Sequence, residues 1–86
     1  MKAVNCPCCG YPTVAIEHEI CPLCHWQNDP WQVEHPDDAN GPNYVSLRQA
    51  QKNFLAIGKC DPRESESNRS IKELGLEGVK PRPAAI

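Results

Sequence analysis

The sequence predicts a small, metal-stabilised α+β domain, and three observations support this fold class. Two C-P-x-C units lie eleven residues apart beside short β-prone stretches, and one amphipathic helix follows them. The chain of 86 residues contains only one Phe, one Met, two Trp and two Tyr. A chain of this size buries about 60% of its unfolded surface, so its core needs a further cross-link. The six cysteines are the obvious source of that cross-link.

The two C-P-x-C units have the spacing of a four-cysteine zinc ribbon. Cys6 and Cys9 bound the first unit, and Cys21 and Cys24 bound the second. Each C-x-x-C turn lets two sulfur atoms reach one ion about 2.3 Å away. We expect one structural zinc ion; iron could occupy the same sulfurs, as in rubredoxins, and disulfides or free thiols are the other alternative. Four thiolates leave no open position for water or substrate, which argues against an enzyme.

The residues beside these cysteines favour tight turns. Pro7 and Pro22 restrict φ to about −65° where each turn begins. Gly10 tolerates positive φ, so its amide can point back toward the thiolates. His25 holds the same position in the second unit, and histidine adopts positive φ more readily than most residues. We therefore expect these four residues to surround the ligands, with His25 in contact with the site from outside the ligand set.

Two cysteines lie outside the predicted ligand set. Cys8 occupies the position that Leu23 holds in the second unit, so its side chain is expected to point away from the metal. It is either a thiol beside the metal site or a small packed hydrophobe. Cys60 lies beyond the helix and is expected to be a passive thiol.

Short β-prone stretches predict two hairpins, each with a cysteine pair at its turn. The stretches are Lys2–Val4, Thr13–Ile16, Glu19–Ile20 and Trp26–Gln27. Residues 28–45 contain three prolines and several Asn and Asp residues, and they are predicted to form a loop.

A helix is predicted over residues 46–57, with Ser46 and Gln49 as a capping box and Gly58 as the left-handed stop. One face is expected to pack on the core: Leu47, Ala50, Phe54 and Ile57. The other is expected to contact water: Arg48, Gln51 and Lys52. These elements define a domain over residues 1–58. Residues 59–86 are polar and are predicted to be a flexible tail. Alternatively, four apolar side chains of this tail dock on the domain of residues 1–58 or on a partner: Ile71, Leu74, Leu76 and Val79.

Charge and the N-terminal sequence limit the location and the partners. Residues 1–58 carry three basic and six acidic residues, a balance of −3, and lack the basic stripe that nucleic-acid binding needs. The N-terminal residues lack a signal peptide's apolar region, and no segment approaches the about 20 apolar residues of a membrane helix. We therefore expect a cytoplasmic, reduced protein that does not bind membranes.

The remaining polar and aromatic residues have ordinary structural explanations. His18 and His35 are expected at the surface, and Asp29, Asp37 and Asp38 are expected to cap turns of the loop. Trp26 and Trp31 are expected to pack near the helix, with one of them partly exposed as an anchor. A partner surface is proposed at three residues: Trp31, Asp37 and Asp38.

Three segments resemble the bacterial cysteine-rich CPCC family: CPCCGY, EICPLCHWQND and PDDANGPNYVSLRQAQKNF. The resemblance covers residues 6–58. His25 replaces an aromatic residue, Gln27 and Asn28 replace an acidic pair, Gln51 replaces arginine, and the sequence beyond Cys60 differs. The resemblance implies a small zinc-ribbon-like protein of no enzyme class, from a family mentioned around bacterial toxin loci.

Three functions compete. The first is a protein-interaction module, in its specific form an immunity protein that binds and occludes a cognate toxin, with an acidic surface that mimics nucleic acid. The second is a zinc-ribbon protein that binds nucleic acid or assists transcription or translation; the net negative charge of residues 1–58 argues against it. The third is an enzyme or electron carrier, which would require iron in the site.

Overall fold

The computed structural model describes residues 3–63 and 69–86. The first C-P-x-C unit lies at the turn of an antiparallel hairpin formed by β1 (Val4–Asn5) and β2 (Pro12–Val14). The second unit lies between Ile20 and Gln27, which form an isolated antiparallel bridge. Each cysteine pair is therefore enclosed by antiparallel pairing, although the second pairing is shorter than predicted. Lys2, assigned to the first predicted strand, lies outside the described residues.

A short helix, α1 (Pro30–Glu34), lies within the segment that the sequence predicts to be a loop. The Asp29 carboxylate accepts a hydrogen bond from the Gln32 backbone N–H at 3.0 Å, and Pro30 occupies the first turn. The loop prediction is wrong for these residues because an Asp-Pro pair supplies both an N-cap and a preset helical φ.

Gln32 of α1 is fully buried and organises the loop that follows. Its Nε2 donates to the carbonyl oxygens of Asp38 and Val45, each at 3.1 Å. Its Oε1 accepts from the backbone N–H and the Nδ2 of Asn43. Four hydrogen bonds on one side chain hold residues 38–45 in a fixed path, which explains why a loop with few apolar residues is ordered.

The second helix, α2 (Leu47–Ile57), agrees with the predicted helix. Ser46 Oγ accepts from the Gln49 N–H at 3.1 Å, and Gly58 ends the helix at a φ of 77°. The Gln49 side chain donates to Asn53 Oδ1 instead of reaching back to Ser46, so half of the predicted capping box forms.

The core joins the cysteines to α2 through Trp26, Leu47 and Ala50, all fully buried. Two expectations for α2 are wrong. Ile57 is exposed because the last turn of the helix extends past the core. Gln51 is half-buried, because its side-chain amide donates to the carbonyl oxygens of Pro7, in the first cysteine turn, and of Ala84, near the C-terminus.

In the segment after α2, residues 70–74 of the predicted tail form a turn, while residues 64–68 lie outside the described residues. Ser70 and Glu73 cap each other reciprocally in a turn, the side chain of each accepting from the other's N–H. Three of the four apolar residues considered for docking lie against the rest of the chain or are buried: Ile71, Leu74 and Leu76. Val79 stays exposed. The thin core leaves apolar surface that this segment covers, which sequence polarity alone does not reveal.

None of the helices in the described residues is long and apolar enough to cross a membrane.

Candidate metal centre

Four cysteine sulfurs converge in the core, and their separations match a tetrahedral site. The sulfurs of Cys6, Cys9, Cys21 and Cys24 all lie within 4.8 Å of one another. Cys6 Sγ is 3.7 Å from Cys24 Sγ, and Cys9 Sγ is 3.8 Å from Cys21 Sγ. Four sulfurs that each lie about 2.3 Å from one tetrahedral ion are about 3.8 Å apart. The cluster could therefore hold a metal ion with little rearrangement.

The two cysteine turns have nearly the same backbone geometry. We call residues 6–10 the first knuckle and residues 21–25 the second knuckle. In each, the residue after the second cysteine donates its N–H to the first cysteine's carbonyl: Gly10 to Cys6 at 2.8 Å, and His25 to Cys21 at 2.9 Å. Gly10 has a φ of 84° and His25 a φ of 68°, as the sequence predicts. His25 therefore adopts the backbone conformation that glycine provides in the first knuckle.

Backbone N–H groups of the chain after α2 donate hydrogen bonds to the proline carbonyl of each knuckle. The Ala84 N–H donates to the Pro7 carbonyl, and the Arg69 N–H donates to the Pro22 carbonyl, each at 3.0 Å. The Cys60 N–H also donates to the Cys24 carbonyl at 3.0 Å. The carbonyl oxygens on the outside of each turn are thus satisfied by backbone from the C-terminal third of the chain.

Polar groups of Thr13 and Leu23 support the Cys21 sulfur. Thr13 Oγ1 lies 2.9 Å from its Sγ, and the Leu23 N–H donates to the same sulfur at 3.4 Å. Hydrogen bonds from Cys24, Cys6 and Cys9, and then from Thr13, lower the pKa of the Cys21 thiol. The hydrogen bonds around Cys21 therefore favour its thiolate.

The other three thiols resist ionisation. Hydrogen bonding with Cys21 is the main cause that raises the pKa of Cys6, Cys9 and Cys24, and burial adds to it. Four thiolates this close repel one another unless a cation neutralises them. Binding of a metal ion to the cluster would therefore release the protons of these thiols.

The two remaining cysteines are buried in the same core but lie outside the group of four. Cys8 matches Leu23 in burial, which agrees with packing as a small hydrophobe. Its thiol also contributes, after Cys21 and Cys6, to raising the pKa of Cys24, so it lies beside the site. Cys60 is buried rather than peripheral, because its backbone is bonded to the second knuckle.

The other residues singled out from the sequence are not among the four converging cysteines. Trp26 is fully buried in the core, whereas Trp31 is 41% exposed and stacks on His35 with ring centroids 4.3 Å apart. Asp37 is exposed and pairs with Arg48.

The remaining aspartates and His18 have structural surroundings. Asp38 accepts from the Asn40 N–H, as expected for a loop-capping aspartate. His18 is exposed, 3.8 Å from the Asp29 carboxylate.

Two residues at the site escape sequence reasoning. Thr13 supports Cys21 across the hairpin, and Gln51 bonds to the first knuckle from α2. A threonine in a strand and a glutamine on a helix have no local signature of such roles, because both contacts depend on the tertiary arrangement.

This fold and this site define a class: small cysteine-rich proteins in which four thiols are grouped so that they could hold a metal ion. The chain belongs to the cysteine-rich CPCC family, whose model matches residues 4–74. The match extends past residue 58, where the sequence predicts a domain boundary, and includes the turn at residues 70–74. A search of curated proteins found no match to the sequence.

Proposed function

We propose that the protein binds one structural zinc ion through Cys6, Cys9, Cys21 and Cys24. The observation that carries this proposal is the pair of sulfur separations, 3.7 and 3.8 Å, in a buried cluster. Zinc is the ordinary occupant of a tetrahedral four-thiolate site, and it requires no redox partner. The closed ligand set supports a structural rather than a catalytic role.

Metal analysis and unfolding test this proposal together. The purified protein should contain one zinc per chain and be colourless, whereas an iron-loaded site would be red. A chelator should abolish the cooperative melting transition, because metal binding supplies folding free energy in small domains of this kind. A chain that keeps its Tm after complete metal removal would contradict the structural role.

We further propose that the domain over residues 1–58 acts as a protein-interaction module in a reducing cytoplasm. Trp31 and His35 form an exposed aromatic pair, and the exposed Asp37 lies two residues beyond His35. Aromatic residues are frequent anchors in protein interfaces, and acidic rims favour basic partners. The specific form we favour, from the family resemblance, is an antidote to a toxin encoded nearby.

Co-expression with each neighbouring toxin gene tests the interaction. The protein should restore growth, and Trp31→Ala should weaken the rescue. Leu55→Ala is the matched control, because Leu55 is 85% exposed on α2, away from α1 in sequence. An equal loss of rescue in the Trp31 and Leu55 variants, or no rescue from any neighbouring toxin gene, would contradict this role. Salt-sensitive binding to DNA or RNA would instead support the nucleic-acid alternative.

A further inference from the structure

Residues 82–84 lie across the first knuckle and are called the strap. The Arg82 N–H donates to the Gly10 carbonyl at 2.8 Å, and the Ala84 N–H donates to the Pro7 carbonyl at 3.0 Å. These two acceptors flank Cys8 and Cys9 in the sequence. The strap therefore bonds to the knuckle on both sides of one metal-ligating candidate and of the buried thiol beside it.

Gln51 joins the strap to the knuckle from α2. Its Nε2 donates to the Pro7 carbonyl at 2.8 Å and to the Ala84 carbonyl at 2.9 Å. One amide group thus bridges two segments that are far apart in sequence. Ala84 itself packs against the buried cluster that contains the cysteines.

The strap sequence is suited to opening and closing as a unit. Pro81 and Pro83 have no N–H, so Arg82 and Ala84 supply the backbone donors of this stretch, and both bond to the knuckle. Proline also limits the conformations of the strap when it is detached, which lowers the entropy lost on closing. Arg82 and Pro83 are exposed, so few apolar contacts resist local opening.

We propose that the strap controls access to the first knuckle, so that its local opening sets how fast Cys8 reacts and how fast a bound metal leaves. Cys8 is only 2% exposed, and in the sequence it lies between the two residues whose carbonyl oxygens bond to the strap, Pro7 and Gly10. Release of the strap frees the carbonyls of Pro7 and Gly10 and lets solvent reach the knuckle. The metal part of this inference rests on the proposed zinc site, whereas the Cys8 part does not.

Two matched pairs of variants test the strap in the full-length protein. Ala84→Pro removes the N–H that bonds to Pro7, and Ala85→Pro makes the same change one residue later, at an exposed residue without a hydrogen bond among the described residues. Gln51→Leu removes the bridging amide, and Gln49→Leu is its control because the Gln49 amide bonds to Asn53 on the same helix. The second pair keeps the test valid if Ala84→Pro does not fold.

Two rates are measured: alkylation of Cys8, located by peptide mass, and transfer of zinc to an excess of chelator. Ala84→Pro should raise both rates about fivefold, the effect of losing one hydrogen bond, and Gln51→Leu, which loses two, should raise them at least as much. The two controls should match the unaltered protein. Alkylation of Cys60, buried outside the strap, should not change. Equal alkylation and zinc-transfer rates in a variant and its control would overturn the proposed role of the strap. Equal increases in the alkylation of Cys8 and Cys60 would overturn it as well. If no metal is bound, the alkylation result still decides the inference.

Discussion

Gly10 and Pro83 approach so closely that a Cβ on Gly10 would overlap the backbone nitrogen of Pro83. Glycine is thus required at this position for two separate reasons. Its φ of 84° disfavours every residue with a side chain, and the strap leaves no room for one. The family-defining first knuckle and the C-terminal segment are therefore shaped to fit each other.

Gly10→Ala should destabilise the protein more than Gly58→Ala. Both positions have positive φ, so each substitution costs about 1–2 kcal/mol in backbone strain. Gly58 has no heavy atom within 4 Å of the added Cβ, so only the Gly10 variant must also displace backbone. Denaturant unfolding of the metal-loaded proteins measures both losses. Equal losses in the free energy of unfolding would show that the strap does not pack on Gly10.

Gln32→Met should destabilise the loop without affecting the metal ligands. The substitution leaves the Asp38 and Val45 carbonyls and the Asn43 donors without their partner in a buried site. Each buried polar group left unsatisfied costs about 1–3 kcal/mol, so a loss of several kcal/mol is expected. Gln49→Met, at an exposed glutamine, should change stability by less than about 0.5 kcal/mol. A variant as stable as this control would contradict the proposed role of Gln32.

Thr13→Val should weaken metal binding while preserving the shape of β2. When Cys21 is a thiolate, the Thr13 hydroxyl donates to its sulfur, and valine removes that donor at nearly constant volume. Loss of a partner that supports a ligand typically lowers metal affinity about 10- to 100-fold. Because the hydroxyl is one of the groups that lower the Cys21 pKa, its removal should raise that pKa in the metal-free chain. Chelator competition measures the affinity, and Thr13→Ser should retain it; equal affinity in the valine variant would exclude this support.

Features that depend on residues close in sequence were predictable. The C-P-x-C units indicated the antiparallel pairing around each cysteine pair and the positive φ at His25, and Ser46 and Gly58 indicated the two ends of α2. The grouping of the four sulfurs was also expected from spacing. The packing of residues 69–86 was only the alternative to a flexible tail, since it depends on backbone hydrogen bonds between Ala84 and Pro7 and between Arg69 and Pro22.

Helix α1 is a different case, because a local signal was present. Asp29 and Pro30 form an N-cap followed by a favourable first residue, but the prolines and asparagines around them outweighed that signal. Gln51 shows the limit of periodicity: a polar residue on a helix was expected to contact water, and instead it satisfies two carbonyl oxygens at the edge of the core.

The most direct test of the metal centre compares adjacent cysteines of the first knuckle. Cys8→Ser and Cys9→Ser make the same chemical change one residue apart, but only Cys9 belongs to the group of four converging sulfurs. Elemental analysis of the purified variants should find one zinc per chain in Cys8→Ser and a loss of zinc in Cys9→Ser. Equal metal content in the two variants would contradict the assignment of the four ligands.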